Sequence, residues 1–119
     1  MTRGHPKKLP AVFFRSDIGT EPVRDWLVGP DLTDADRRVI GVDIATVEFG
    51  WPIGMPTCRA MGRGLFEVRS HLPQGRIARV LFSVHEGRMV LLHGFIKKAS
   101  KTPADDLTIA RARKKDIER

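Results

Sequence analysis

An imidazole, an aromatic ring and an ammonium occupy alternate positions in one short stretch. His93, Phe95 and Lys97 lie within Val90–Pro103, which reads Val-Leu-Leu-His-Gly-Phe-Ile-Lys-Lys-Ala-Ser-Lys-Thr-Pro. If this stretch is extended, alternate side chains point to opposite faces. His93, Phe95 and Lys97 then share a face with Leu91, about 7 Å between successive members. Val90, Leu92, Gly94 and Ile96 share the other face and read as core. Lys98 and Lys101 follow, and Thr102-Pro103 opens the last helix. A histidine can move protons near neutral pH. Lysines attract phosphate, and an aromatic ring can stack on a base. The set suits RNA or DNA. A solvated strand end before a helix would give the same pattern with no ligand.

The charge distribution points the same way. The 119 residues carry a net charge of +7, unevenly spread. Residues 1–16 hold Arg3, Lys7, Lys8 and Arg15. Residues 17–48 hold eight acids against Arg24, Arg37 and Arg38. Residues 49–119 hold fourteen bases against six acids. Such segregation is the electrostatic footprint of a nucleic-acid binder. The acidic segment is expected to face away from the phosphates. With 41% hydrophobic residues the chain can bury a core as a single domain over 1–119, with 1–8 a flexible basic arm. The lone Cys58 excludes an internal disulfide and fits a reducing compartment, where it reads as a structural thiol. No apolar run is long enough to span a membrane. These features predict a cytoplasmic protein.

The elements that would position the chemistry follow from punctuation and periodicity. Leu9–Arg15 reads as a strand. Thr20 caps a short helix with Pro22 in its first turn, ending at Gly29-Pro30. Thr33 caps a second helix, with Asp34 and Asp36 in its first turn. Its apolar stripe is Val39, Ile40, Ile44 and Val47, and it ends near Phe49-Gly50. Trp51–Gly62 reads as a loop, with Pro52, Gly54 and Pro56. Trp26 and Trp51 read as packing residues. Gly64–Ser70, Arg76–Val84 and Met89–Lys97 read as strands, joined by Pro73-Gln74-Gly75 and by a tight hairpin at His85–Arg88. Links this short require antiparallel neighbours. Pro103–Arg119 reads as a helix with a thin apolar stripe at Leu107 and Ala110. The fold class is α+β: an N-terminal strand, two helices, a three-stranded antiparallel meander and a C-terminal helix. The early helices are expected to cover one sheet face. The other is left open for Arg69, Arg79, His93 and Lys97.

The segments Gly-Leu-Phe-Glu-Val-Arg, Ala-Arg-Val-Leu-Phe and Leu-Leu-His-Gly-Phe-Ile-Lys-Lys, with the Lys-Thr-Pro downstream, resemble the RelE/ParE toxin superfamily. The nearest branch is the phage-derived HigB type. The resemblance is strongest over 65–119. It implies a RelE-like fold and a small basic toxin of a type II toxin–antitoxin pair. It implies an antitoxin partner, for HigB often a helix-turn-helix protein of HigA type. RelE and HigB types cleave mRNA on the ribosome, whereas ParE types poison DNA gyrase. By the same resemblance, Arg79 falls at the position of a sheet arginine, and Lys97 and Lys98 where such toxins carry basic residues. One departure stands out. Many RelE-type ribonucleases use a tyrosine near the chain end, and this sequence has no tyrosine. Phe95 can stack but cannot donate a proton.

The chemistry of RNA cleavage fits these residues without a metal or cofactor. The 2′-OH is the nucleophile. It needs a base, cations for the phosphorane, and an acid for the departing 5′-oxygen. His93 is the expected base or acid. Arg79 and Arg69 are the expected phosphate stabilisers, and Lys97 a second electrostatic or acid group. Arg63, Arg76, Phe95, Lys98 and Lys101 are the expected RNA contacts. Glu67 shares the Arg69 face, as a functional group or as an orienting ion pair. His5, His71 and His85 fall in arm or loop positions without neighbouring metal ligands. A gyrase inhibitor or a plain RNA-binding module would need no such convergence.

Overall fold

The computed structural model describes residues 6–97 and 102–119, Lys97 by its backbone alone. The elements run β1 (Ala11–Phe13), α1 (Pro22–Val28), α2 (Asp34–Gly50), β2 (Cys58–Gly62) and β3 (Leu65–His71). A single 3-10 turn (Pro73–Gly75) precedes β4 (Ile77–His85), β5 (Arg88–Lys97) and α3 (Ala104–Ile117). The sheet order is β1-β5-β4-β3-β2, with β1 parallel to β5 and the other pairs antiparallel. The fold is α+β as expected, but the sheet is mixed and has five strands among the described residues. The strand missing from the sequence reading is β2, expected as loop. Its residues, Cys-Arg-Ala-Met-Gly, have weak strand preference, and pairing with β3 holds them extended. No helix among the described residues is long and apolar enough to cross a membrane.

Local chemistry sets the helix starts. Thr33 Oγ1 accepts from the Asp36 N–H at 3.1 Å, and Asp36 Oδ2 accepts from the Thr33 N–H at 3.0 Å. This reciprocal pair satisfies two orphan donors at the start of α2. Thr20 does not cap α1. Its hydroxyl bonds Ser16 Oγ instead, and Glu21 stands at the cap position without a side-chain bond. The β4–β5 hairpin turns through Glu86 (φ 51°) and Gly87 (φ 75°). Two left-handed residues in succession match the twist of the flanking strands.

The sheet lies between two helical layers. On one face α1 and α2 bring Val23, Ile40, Ile44 and Val47 against Val68, Val80, Phe82 and Leu91. Trp51 meets Phe66 and Phe82 edge-on, at 4.9 and 5.8 Å between ring centroids. Trp26 lies on Gly94, where a Cβ would stand 2.4 Å from the indole Cε3. Both tryptophans therefore pack, as expected. Cys58 is buried, and burial pushes its thiol up to about 11, with Glu67 adding to the shift. It is a structural thiol.

On the second face α3 packs Leu107, Ala110 and Ile117 against Phe14, Leu65, Leu81, Val90 and Leu92. The sequence reading had left this face open.

A β-bulge interrupts the alternation of β5. Leu81 pairs with His93, yet Phe82 pairs with Leu91, so Leu92 is the extra residue. Before the bulge Val90 and Leu92 face α3. After it His93 and Phe95 do, while Gly94 and Ile96 join the α1–α2 core. Strict alternation would have placed Val90 and Leu92 with Gly94 and Ile96.

The outer edge of β1 is covered by a side chain. Glu48 Oε2 accepts from the Ala11 N–H at 2.7 Å and receives Lys7 Nζ at 3.1 Å. Lys7, expected in a loose arm, is thus tied to α2. The rest of that arm to residue 5 lies outside the described residues.

Candidate functional site

The strand register sets the site out in rows across β3, β4 and β5. Glu67, Leu81 and His93 form one row; Arg69, Arg79 and Phe95 form the next; His71, Ile77 and Lys97 form the last. Arg69, Arg79, His93 and Phe95 therefore share a face, as the sequence predicts, and the backbone of Lys97 continues it. The prediction of an uncovered face is corrected. The start of α3 and Thr102 lie over the middle of these rows.

Arg79 is fully buried. Its guanidinium donates to Thr102 Oγ1 at 3.1 Å and stands 3.7 Å from Glu67 Oε1. The Thr102 hydroxyl donates to Glu67 Oε2. Arg69 Nε approaches the same carboxylate at 3.9 Å. Burial pulls the Arg79 pKa below the ordinary arginine value, and Glu67 opposes that pull. As placed, Arg79 cannot touch a phosphate. It holds Glu67 and Thr102 together beneath the start of α3. The ion pair foreseen between Glu67 and Arg69 is present, but Arg79 shares it.

His93 is held from both sides by α3. Nε2 lies 2.6 Å from Asp106 Oδ1, and Nδ1 lies 3.4 Å from an Arg113 guanidinium nitrogen. An ionised carboxylate only accepts and a guanidinium only donates. The partners thus assign the neutral tautomer with its proton on Nε2. Arg113 makes its shorter bond, 2.8 Å, to the carbonyl of Leu92, the bulge residue. The bulge thereby supplies both the facing of His93 and the anchor for Arg113. Burial lowers the Arg113 pKa. Phe95 stacks on the imidazole at 5.5 Å between centroids. His93 and Asp106 remain partly exposed, at 16% and 18% of their side chains. The Nδ1 lone pair, beside a cation and backed by a carboxylate on the far nitrogen, is arranged as a proton acceptor. Asp106 would stabilise the imidazolium formed on transfer.

Asp106, Arg113 and Thr102 were missed in the sequence reading. A signal for the first two existed. Asp106, Ala110, Arg113 and Ile117 recur at helical spacing on the stripe that faces the sheet. Leu107 and Ala110 marked that stripe, but Arg113 was counted with the exposed charges. His71 was read as a loop residue and is the exposed end of β3, in the row beyond Arg69.

The expected RNA contacts divide. Arg76 is not free to bind RNA. Its two terminal nitrogens grip Asp36 at 3.0 and 2.8 Å, tying the 3-10 turn to the start of α2. That grip holds the Asp36 carboxyl down at about 2, helped by the Thr33 N–H. Arg63 is exposed in the β2–β3 turn, beside a groove of about 420 Å³ that Arg111, Lys114 and Lys115 also line. Lys98 and Lys101, the side chain of Lys97, and His5 lie outside the described residues. The acidic segment is not wholly remote, since Asp31 stands beside Phe95 at the end of β5.

No curated protein matches the chain. The family model described as "Phage derived protein Gp49-like" (DUF891) matches residues 26–115, from Trp26 in α1 to Lys115 in α3. That span takes in β2–β5 and every residue of the polar cluster just described. The chain belongs to the phage-derived Gp49-like family, a RelE/toxin-like family of toxin–antitoxin systems.

Proposed function

We propose that the protein is the toxin of a type II toxin–antitoxin pair and that it cleaves mRNA on the ribosome without a metal ion. The Asp106–His93–Arg113 arrangement carries this reading. A 2′-OH that displaces the long Arg113 contact can give its proton to Nδ1, while Asp106 keeps the ring oriented. Arg113 and Arg69 then lie where charge builds on the phosphorane. Arg79 serves as a positioning residue through Glu67 and Thr102. The departing 5′-oxygen needs an acid, and the row His71–Ile77–Lys97 offers two. His71 is exposed and has no hydrogen bond or ion pair among the described residues. A helix-turn-helix antitoxin of HigA type fits as the partner.

The test is induction without antitoxin, followed by primer extension on cellular mRNA. Wild type is expected to produce new 5′ ends within codons, and His93→Gln none. Intact mRNA after wild-type growth arrest would overturn the reading. The burial of Arg79 favours a second one, a ParE-like inhibitor of DNA gyrase that needs no reachable arginine. Gyrase-linked DNA breaks with uncut mRNA would establish it.

A further inference from the structure

A cleft of about 320 Å³ lies between the α1–α2 connection and the last residues of β5, lined by Trp26, Asp31, Gly94, Phe95 and Ile96. Pairing of β1 with β5 stops at Leu91, so no strand lies beside this half of β5 on that side among the described residues. We propose that the cleft receives a guanine base of the RNA strand. The proposal rests on the reading of the chain as an RNA-cutting toxin, for it concerns the strand cut at His93.

Three features point to a base. The first is the indole of Trp26, an aromatic wall of the cleft. Unpaired bases are commonly held by stacking on such a ring. Trp26 is held in place by its seat on Gly94, so the indole wall is preformed. The second is Asp31, which is exposed and has no hydrogen bond or ion pair among the described residues. A carboxylate near a phosphate path repels RNA unless it accepts hydrogen bonds from a base. Guanine presents N1–H and the N2 amino group side by side, two donors for two carboxylate oxygens. Adenine and cytosine present one amino group on that edge, and uracil one imino group. The third is position. Phe95 belongs to the rim of the cleft at the open edge of β5, and its ring stacks on His93 on the α3 side, so a base held at that edge lies beside the strand segment that carries the proton acceptor.

The experiment measures binding and cleavage separately. Fluorescent pentaribonucleotides that differ only in the central base are titrated against wild type, Asp31→Asn and Trp26→Phe. A doubly bonded base is discriminated by about ten- to a hundredfold. Wild type is expected to prefer the guanine oligonucleotide by about tenfold or more. Asp31→Asn should lose that preference while keeping its affinity for the others, and Trp26→Phe should weaken all four. Mapped mRNA 5′ ends should show a guanine at a fixed offset for wild type and none for Asp31→Asn. Equal binding of all four by wild type, or an undiminished preference in Asp31→Asn, overturns the base site. A guanine preference in binding with uncut mRNA upholds the base site and overturns the ribonuclease reading instead.

Discussion

On the α1–α2 side of the sheet the strands contribute Val68, Val80, Phe82, Leu91 and Ile96. On the α3 side the same strands bury Glu67 and Arg79 and hold His93 at the margin. The first face is a closed apolar core with aromatic edges in contact. The second is a thin apolar cluster around a chain of charges. Glu67 Oε1, Arg69 Nε and Ser83 Oγ are buried without a hydrogen-bond partner among the described residues, and they lie on the α3 side. Each such atom costs about 1–3 kcal/mol of desolvation. Stability is thus concentrated on one face and polar chemistry on the other, one residue apart along each strand. A core that must only exclude water tolerates no charge, whereas a proton-transfer site needs charges held without full solvation.

Substitutions on the two faces should therefore fail differently. The largest expected effect is on the α3 side. His93→Gln should lower mRNA cleavage by about 10²–10⁴-fold with thermal melting unchanged. Cleavage near the wild-type rate in a folded variant would remove the imidazole from the chemistry and leave Lys97 or His71 as the proton carrier. Next, Phe82→Ala should destabilise the apolar face by about 3–5 kcal/mol in denaturant unfolding. Arg79→Met should lose about as much, because buried Glu67 would keep only the distant Arg69 as a charged partner among the described residues. Adding Glu67→Leu to Arg79→Met should recover most of that loss, as buried ion pairs often can be replaced by apolar groups. Failure to recover it would mean that the charges stabilise the α3 face outright. Gly94→Ala should cost about 1–3 kcal/mol or more, since its methyl group must displace the Trp26 ring. An unchanged midpoint would show that the indole is not seated there.

The smallest effect concerns the pair outside both faces. The Asp36 pKa is lowered to about 2, so its contribution is fully present above the ordinary carboxylate value and is lost as pH falls through about 2. The melting-temperature gap between wild type and Asp36→Asn should be constant above about pH 4 and narrow toward about pH 2. A gap independent of pH would mean that the Asp36 pKa is the same in the folded and unfolded protein, so that the grip of Arg76 does not favour its charged form.

Local signals carried the helices and the central strands. Thr33 with Asp36, Pro22, Gly29 and the alternation of Leu65–His71 and Ile77–His85 mark α1, α2, β3 and β4 without tertiary help. Strand parity also made legible the shared face of Arg69 with Arg79 and that of His93 with Phe95, but it is the bulge that brings the two pairs to the same side of the sheet. What escaped depends on partners distant in sequence. Arg76 is taken by a carboxylate 40 residues away, so nothing near it betrays the pair. β2 is extended because β3 pairs with it. α3 covers the polar face through three apolar residues and a charged pair, too thin a stripe to suggest a lid. The bulge at Leu92 leaves no mark in composition, yet it decides which residues of β5 share a face.

That bulge has a consequence for how a gene of this kind can drift. Loss of the single codon for Leu92 would leave every other amino acid in place and restore strict alternation to β5. His93 would still face α3, because it would follow Leu91 directly and keep Leu81 as its cross-strand partner. The α3 face would lose one buried leucine side chain and the carbonyl that anchors Arg113. One in-frame deletion would thus keep the imidazole in place and loosen the guanidinium beside it.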